Sequence, residues 1–214
     1  MTCCHPDYDA FYDDRMARRE LEAYRRHGAS GDTRRLIDAL RAEGVGGMAV
    51  LDIGGGVGAI GHELLADGAT RVTNVDASRA YLAAARSEAE RRGWGDRADF
   101  HHGDFVELAG DIGSADIVTL DKVVCCYRDW PALIGASVER AGRLYGLVYP
   151  VDRWWTRLAW PLLNAMLALM RQSVRSYVHP EREIDERIRS AGFERGWLHR
   201  GPIWQTVIYR RLAA

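Results

Sequence analysis

Residues 50–61 read Val50-Leu51-Asp52-Ile53-Gly54-Gly55-Gly56-Val57-Gly58-Ala59-Ile60-Gly61, and this stretch decides the fold. A short apolar run leads through alternating glycines into a helical pattern. Glycine lacks the Cβ atom that would keep the backbone away from a ligand. The helix that follows presents free N–H groups in its first turn. The stretch therefore predicts a strand, a loop and a helix that together hold a nucleotide-like cofactor.

Two classes of cofactor fit such a loop, and Asp52 separates them. The spacing Gly56-x-Gly58-x-x-Gly61 also satisfies the dinucleotide pattern, which is a weak signal by itself. Asp52, however, stands two residues before the first glycine, where a carboxylate would repel a pyrophosphate. The same carboxylate suits a ligand that has no phosphate and carries a positive ammonium and sulfonium. S-adenosylmethionine is such a ligand.

The ends of the next three predicted strands carry further motif residues. Asp76 closes the second strand, twenty positions after Gly56, a spacing that suits a carboxylate accepting from both ribose hydroxyls. The third strand is followed by the pair Asp104-Phe105, and the fourth runs over residues 115–120. Each mark alone also fits a plain turn or a helix cap. Four of them in order, at the ends of four successive strands, favour a single cofactor site.

The pattern Asp-x-Gly-x-Gly-x-Gly at residues 52–58 is similar to the first motif of the class I S-adenosylmethionine-dependent methyltransferases. The resemblance covers residues 45–150 well and is looser at both ends. It implies that Asp104 binds the adenine amino group, that Phe105 packs on the ring and that the end of the fourth strand flanks the transferring methyl. The cofactor-binding residues expected on this basis are Asp52, Gly54, Gly56, Gly58, Asp76, Ala77, Asp104, Phe105, Leu120 and Asp121.

Strands and helices alternate along the chain, which predicts a parallel sheet. The predicted strands are 48–53, 70–75, 97–102, 115–120 and 143–149, and the helices between them are 57–67, 78–92 and 130–141. A helix over 181–191 precedes a hairpin of Phe193 to Leu198 and Ile203 to Tyr209, turned by Gly201-Pro202. The expected fold class is α/β: a Rossmann-like class I methyltransferase sheet, mostly parallel, with an antiparallel last strand.

Two parts of the chain are predicted from this pattern. Residues 1–45 form an N-terminal helical cap segment, with helices over 15–27 and 32–43, the second capped by Asp32 or Thr33. Residues 46–214 form the methyltransferase domain, with a helical insert at 152–178 after the fifth strand.

Composition and charge indicate which kinds of partner and which cellular compartment to expect for this chain. The chain has 214 residues and a formal net charge of −1, so it lacks the basic field of a nucleic-acid-binding protein. The cysteines form two adjacent pairs, Cys3-Cys4 and Cys125-Cys126, without the spacing of a zinc half-site or a redox motif. The N-terminus has no signal-peptide pattern. We therefore expect a cytoplasmic protein with reduced thiols and a small-molecule substrate.

The insert is rich in tryptophan, leucine and methionine between residues 152 and 175, and three interpretations stay open. It packs on the domain or forms a homodimer face, which we favour; it covers an apolar substrate; or it lies on a membrane surface, flanked by Arg153, Arg157, Arg171 and Arg175. As a hypothesis, the insert and the N-terminal helices form the outer wall of the acceptor pocket.

The candidate catalytic residues are Tyr127, in the loop after the fourth strand, and His179, between the insert and the next helix. Each also has a plain structural interpretation, as a ring packed over the cofactor and as part of a helix cap. The acids after the fourth strand lack the clustered pattern of metal-dependent catechol-type enzymes, so we expect no metal.

The favoured function is methyl transfer to a small apolar or aromatic molecule, with oxygen slightly preferred as the acceptor atom. The apolar insert and the order of motifs also resemble, more loosely, the tetrapyrrole and quinone O-methyltransferases. A nicotinamide-dependent oxidoreductase and a non-catalytic S-adenosylmethionine-binding protein are the alternatives.

Overall fold

The computed structural model describes residues 8–213. Seven strands form its sheet: β1 (Ala49–Ile53), β2 (Arg71–Asp76), β3 (Ala98–His102), β4 (Ala115–Asp121), β5 (Ala141–Pro150), β6 (Phe193–Arg200) and β7 (Trp204–Arg211). The helices are α1 (Tyr8–Phe11), α2 (Asp14–His27), α3 (Gly31–Glu43), α4 (Ala59–Ala66), α5 (Arg79–Arg91), α6 (Phe105–Leu108), α7 (Trp130–Val138), α8 (Trp154–Leu169) and α9 (Glu181–Ser190). Short 3-10 turns cover Gly95–Arg97 and Val124–Cys126.

The strands lie in the order β3-β2-β1-β4-β5-β7-β6. β1 to β5 are parallel, while β7 runs antiparallel to both of its neighbours, β5 and β6. The predicted fold class, including the antiparallel last strand, is therefore confirmed. The order reverses between β1 and β4, and ligands in open α/β sheets bind at the carboxyl edge beside such a reversal.

Helices cover both faces of the sheet because each strand alternates its side chains between the two faces. In β1, Val50 packs in one cluster with α3 and α4, whereas Leu51 and Ile53 pack in another with α7 and α9. Every fully buried leucine or isoleucine of these clusters contributes about 1.5–3 kcal/mol of transfer free energy. This packing on two faces fixes the positions of the loops at the strand ends.

The N-terminal helices are part of the same packed body. Leu36 of α3 is fully buried, and a Cβ added at Gly146 of β5 would lie 2.8 Å from its Cδ1 atom. Leu21 of α2 packs with Tyr81 of α5. The prediction of an Asp32 or Thr33 cap on α3 was wrong: the cap position is Ser30, without a side-chain hydrogen bond, and the helix begins at Gly31.

The insert contains one helix, α8, whose only buried residue is Thr156. Among residues 8–213, no helix is both long enough and apolar enough to cross a bilayer.

Candidate active site

A cavity of about 360 Å³ lies at the carboxyl edge of the sheet. Its walls are the loops that follow β1, β2, β3 and β4, together with residues of α1, α2 and α3. The volume falls within the roughly 300–1,000 Å³ of small-molecule sites. The sheet reversal, the cavity and the predicted motif residues therefore coincide.

The glycine loop after β1 forms the floor of the cavity. Gly54 and Gly56 have φ values of 63° and 56°, a region that side chains rarely adopt. The Gly54 amide donates to the Val75 carbonyl at 2.7 Å, and the Gly58 amide closes the turn on the Gly55 carbonyl at 2.9 Å. A Cβ at Gly55 would lie 2.7 Å from Asn74 Oδ1. The loop is glycine-rich because it is both left-handed and tightly packed.

Asp52 lies under this loop and is only 1% exposed. The Thr119 hydroxyl donates to its Oδ1 at 2.7 Å, while Oδ2 has no hydrogen-bond partner among the described residues. Burial, together with the nearby negative charges of Asp121 and Asp76, raises the pKa of Asp52 to about 7 against the opposing effect of the Thr119 hydrogen bond. Asp52 lines the cavity, and its unpartnered carboxylate oxygen would attract a positively charged ligand group bound there.

Asp76 closes β2 and holds the loops on both sides of it. Its Oδ2 accepts from the Gly56 amide at 2.9 Å, and its Oδ1 accepts from the Ser78 amide at 2.8 Å. Burial raises its pKa, while these two backbone bonds act in the opposite direction. An ionised carboxylate has about four acceptor positions, so each oxygen retains capacity for a ligand hydroxyl.

Asp104 and Tyr127 form a hydrogen-bonded pair in the cavity wall. The Tyr127 hydroxyl lies 2.9 Å from Asp104 Oδ1 and 2.8 Å from Oδ2, and the Val106 amide donates to Oδ1 at 2.8 Å. Burial, together with the hydrogen bond to Asp104, raises the pKa of Tyr127 far above its ordinary value. Tyr127 therefore stays a protonated donor. Phe105, beside this pair, is buried against the core.

A second polar group lies at the end of β4. The Thr33 hydroxyl donates to Asp121 Oδ2 at 2.5 Å, and Lys122 Nζ donates to Asp121 Oδ1 at 3.0 Å and to Thr33 Oγ1 at 2.9 Å. All three residues line the cavity. Lys122, the only lysine of the chain, has a φ of 61°. Sequence reasoning missed Thr33 and Lys122 as site residues because their contact crosses 88 or more positions of sequence.

Aromatic residues of α1 and the following turn cover the remaining side. Tyr8 donates from its hydroxyl to the Cys126 carbonyl at 2.9 Å. The rings of Tyr12 and Tyr81 meet edge to face with centroids 5.5 Å apart. Both N-terminal tyrosines line the cavity, as does Cys126. No sequence pattern indicated these tyrosines, since α1 is four residues long and shows no periodicity.

The comparisons with known proteins agree with this geometry. Residues 50–141 match a family model described as "Methyltransferase domain". These residues are a methyltransferase domain. The family, the class of enzyme and the S-adenosylmethionine cofactor expected from the sequence are thereby confirmed. Among curated proteins, none matches the chain significantly.

Solved structures share the fold of this chain. Magnesium protoporphyrin IX methyltransferase from Synechocystis PCC 6803 with bound SAH has 21% identity and a TM-score of 0.71, over 96% of this chain and 100% of that one. An O-methyltransferase family protein from Burkholderia thailandensis has 20% identity and a TM-score of 0.72, over 98% and 64%. The pyocyanin biosynthetic protein PhzM has 18% identity and a TM-score of 0.65, over 95% and 62%.

Most of the site residues expected from the sequence line the cavity. They are Asp52, Gly54, Gly56, Asp76, Ala77, Asp104, Phe105, Asp121 and Tyr127. Gly58 and Leu120 do not line it: Gly58 is the left-handed N-cap of α4, and Leu120 is fully buried in the core.

His179 is also outside the cavity, and so is the insert. His179 is 8% exposed, and its Nε2 donates to the carbonyls of Val124 and Tyr127 at 3.1 and 3.0 Å. Burial lowers its pKa, against the effect of these two bonds. No residue of 152–178 lines the cavity. The hypothesis that the insert forms its outer wall was therefore wrong, whereas the N-terminal helices do contribute to the wall.

Proposed function

We propose that this methyltransferase transfers a methyl group from S-adenosylmethionine to a small apolar or aromatic acceptor, at an oxygen atom. The main support for the proposal is that the motif residues at the ends of β1 to β4 line one cavity, and that the rest of the cavity wall is rich in tyrosine. A net charge of −1 supports a small molecule over a nucleic acid as substrate.

The cofactor half of the cavity follows from the donor and acceptor groups. Asp52 faces the cationic part of the ligand with its unpartnered oxygen, and Asp76 accepts from the ribose hydroxyls. Asp104 accepts from the adenine amino group, and Phe105 packs on the ring. When bound, S-adenosylmethionine supplies a methyl group already activated by the sulfonium, so the protein's part is to position the pair and exclude water.

The acceptor half lies between the N-terminal tyrosines and the loop after β4. Tyr8, Tyr12 and Cys126 provide an aromatic and apolar wall. The raised pKa of Tyr127 and the position of His179 outside the cavity argue against either as a general base. An oxygen that arrives ionised needs no base, and the Lys122 ammonium is placed to stabilise it. Two structural neighbours whose names state methyl transfer, one of them to oxygen, support this preference.

His179 has a supporting role in this scheme. Its two hydrogen bonds hold the carbonyls of Val124 and Tyr127, at the two ends of the turn that carries Cys126. The residue therefore positions the acceptor wall and does not touch the acceptor. We also propose a reducing, cytoplasmic location, since Cys125 and Cys126 are free thiols whose Sγ atoms lie 3.8 Å apart.

The test has two parts. Calorimetry should show binding of S-adenosylmethionine and S-adenosylhomocysteine and no detectable binding of NAD or NADP. A small-molecule extract incubated with methyl-labelled cofactor should then yield a labelled product. Release of the label by mild alkali identifies a methyl ester, and for a resistant product mass spectrometry locates the methyl group on oxygen, nitrogen or carbon. Binding of NAD alone would overturn the function.

Asp76→Ala gives the matched site variant. Loss of the ribose contact should weaken cofactor binding by about 1.5–3 kcal/mol. Asp96→Ala, at an exposed 3-10 turn away from the cavity, is the control and should bind as the wild type does. Equal affinities in the two variants would show that Asp76 only supports the loops.

A further inference from the structure

Helix α8 presents an apolar face to solvent. Trp154, Leu158, Leu162, Met166 and Leu169 are 71%, 65%, 73%, 52% and 85% exposed. Their spacing of four, four, four and three residues places them along one side of the helix. We call these five residues the α8 face. Exposed apolar residues scattered singly are ordinary on a protein surface, whereas a contiguous stripe of this kind indicates a binding surface.

Polar contacts attach α8 to the rest of the protein. Trp155 Nε1 donates to the Pro202 carbonyl at 2.9 Å, and Trp160 Nε1 donates to Ser176 Oγ at 2.9 Å. Asn164 donates to the Ser176 carbonyl at 2.8 Å and accepts from the Ser176 amide at 2.9 Å. These bonds fix which side of the helix points outward, so the exposure of the α8 face follows from the docking of the helix.

The segment that carries the face has mainly positive charge. Residues 153–180 contain four arginines, at positions 153, 157, 171 and 175, and no aspartate or glutamate. Arg157 pairs with Asp152, which precedes the segment, at 2.6 Å. A second copy docked symmetrically on this face would bring arginines against arginines without acids of the segment to pair them. An anionic lipid surface complements both the arginines and the apolar stripe.

We propose that the α8 face docks on an anionic membrane surface, with the helix lying in the plane of the interface. A helix of 16 residues is about 24 Å long at 1.5 Å per residue, too short to span the hydrocarbon core. Trp154 at its start suits the headgroup level, where tryptophan is enriched. This inference rests on the exposure and charge of the segment and is independent of the proposed methyl acceptor.

Docking in this way brings the cavity edge toward the bilayer. α8 follows β5 directly, at the same carboxyl edge of the sheet as the cavity loops. The segment after α8 packs on the loop that follows β4, where the Tyr177 amide donates to the Cys125 carbonyl at 2.6 Å. An apolar acceptor dissolved in the membrane would thus be near the site.

Vesicle sedimentation tests the proposal with the full chain. Wild type should sediment with vesicles of phosphatidylcholine containing about 30% phosphatidylglycerol, and less with phosphatidylcholine alone. Binding should decrease as salt is raised, because the arginine contribution is screened. The double variant Leu158→Glu/Leu162→Glu should lower the partition coefficient at least about tenfold, because two apolar contacts are replaced by charges.

Two further variants make the result specific. Arg153→Gln/Arg171→Gln should reduce binding to anionic vesicles by about fivefold per arginine and leave binding to neutral vesicles unchanged. Leu212→Glu, at a half-exposed leucine after β7, should bind vesicles as the wild type does. Circular dichroism and calorimetry with S-adenosylhomocysteine check that every variant is folded.

Three outcomes would overturn membrane docking. Wild type that stays in the supernatant at low salt has no lipid-binding face. Equal binding by the wild type and the leucine double variant would place the contact elsewhere. A wild-type dimer in sedimentation velocity that Leu158→Glu/Leu162→Glu converts to a monomer, without vesicle binding, would assign the face to a second copy of the chain.

Discussion

Asp52 is a buried acid whose charge state depends on its surroundings in the site. It is almost fully buried, one of its oxygens has no partner in the part of the chain that the structure describes, and two other acids raise its pKa along with burial. Such a group favours its neutral form in the free protein and its charged form beside a cation. We therefore expect cofactor binding and protein stability to respond to it in opposite directions.

The sign of the stability effect follows from its raised pKa. The folded protein holds the Asp52 proton up to about pH 7, whereas the ordinary value is 3.8. The stability that this contributes is complete below the ordinary value and is lost as the pH rises through about 7. Asp52→Asn keeps an acceptor for Thr119 and removes the charge, so at pH 8 it should be more stable than wild type by roughly 2–4 kcal/mol.

Cofactor affinity should move the other way. Wild type should bind S-adenosylmethionine more tightly at pH 8 than at pH 6, and Asp52→Asn should bind weakly with no such dependence. Urea denaturation and calorimetry at both pH values measure the two effects. Asp111→Asn, at an exposed position, is the control. A wild-type affinity independent of pH would contradict the assigned contact.

Among the structural elements, the glycine loop after β1 is the one whose residue types are limited both by backbone geometry and by the ligand. Gly56 has a positive φ, and its amide is held by Asp76 at 2.9 Å. A Cβ there would lie 3.3 Å from the Tyr81 ring, a tight contact that the ring's position in a packed cluster does not easily relieve. The loop therefore has no room to admit a side chain on the ligand's side.

Gly56→Val should abolish measurable cofactor binding, a loss of about a hundredfold or more, while far-ultraviolet circular dichroism stays close to wild type. The valine is β-branched and disfavours a positive φ, so the loop must shift. Gly113→Val is the matched control, because its Cβ meets nothing within 4 Å and its φ is not positive. Wild-type affinity in Gly56→Val would mean that the loop does not contact the cofactor.

At the scale of the whole molecule, one cavity is assembled from elements that are far apart in sequence. α1 and the turn after it, α2 and α3 close over the loops after β1 to β4, and contacts such as Tyr8 to Cys126 span 118 positions. Within residues 8–213, no group of three or more His, Cys, Asp or Glu side chains has the arrangement of a metal site. The chemistry of a sulfonium methyl donor requires none.

Activity should therefore survive metal removal. After dialysis against EDTA, the rate of methyl transfer should stay within about twofold of the untreated rate, since positioning and desolvation supply the catalysis. The comparison is with the same sample supplemented with magnesium or zinc. Loss on chelation followed by recovery with one of these ions would reveal a metal requirement.

The strand ends were predictable because their information is local. The glycine loop and Asp76 each lie within a few residues of the strand that positions them, and period-two and helical patterns locate those strands. The class I fold, the methyltransferase class and the cofactor followed from their order along the chain. Gly58 and Leu120 are adjacent to these motif residues but do not line the cavity. Gly58 is the N-cap of α4 and Leu120 is buried in the core, because the backbone of the loop and of the strand directs both residues away from the cavity.

The sequence by itself thus determined the sheet, the loop and the identity of the cofactor. Only the tertiary structure decided which distant residues complete the site and which surface stays exposed. Thr33 donates a hydrogen bond to Asp121 across 88 positions of sequence. Hydrogen bonds to two carbonyls hold His179 outside the cavity, and the α8 face is exposed to solvent. The physical reason is that such contacts depend on how packed helices lie on the sheet, and side-chain spacing within one segment carries no information about the partner it meets.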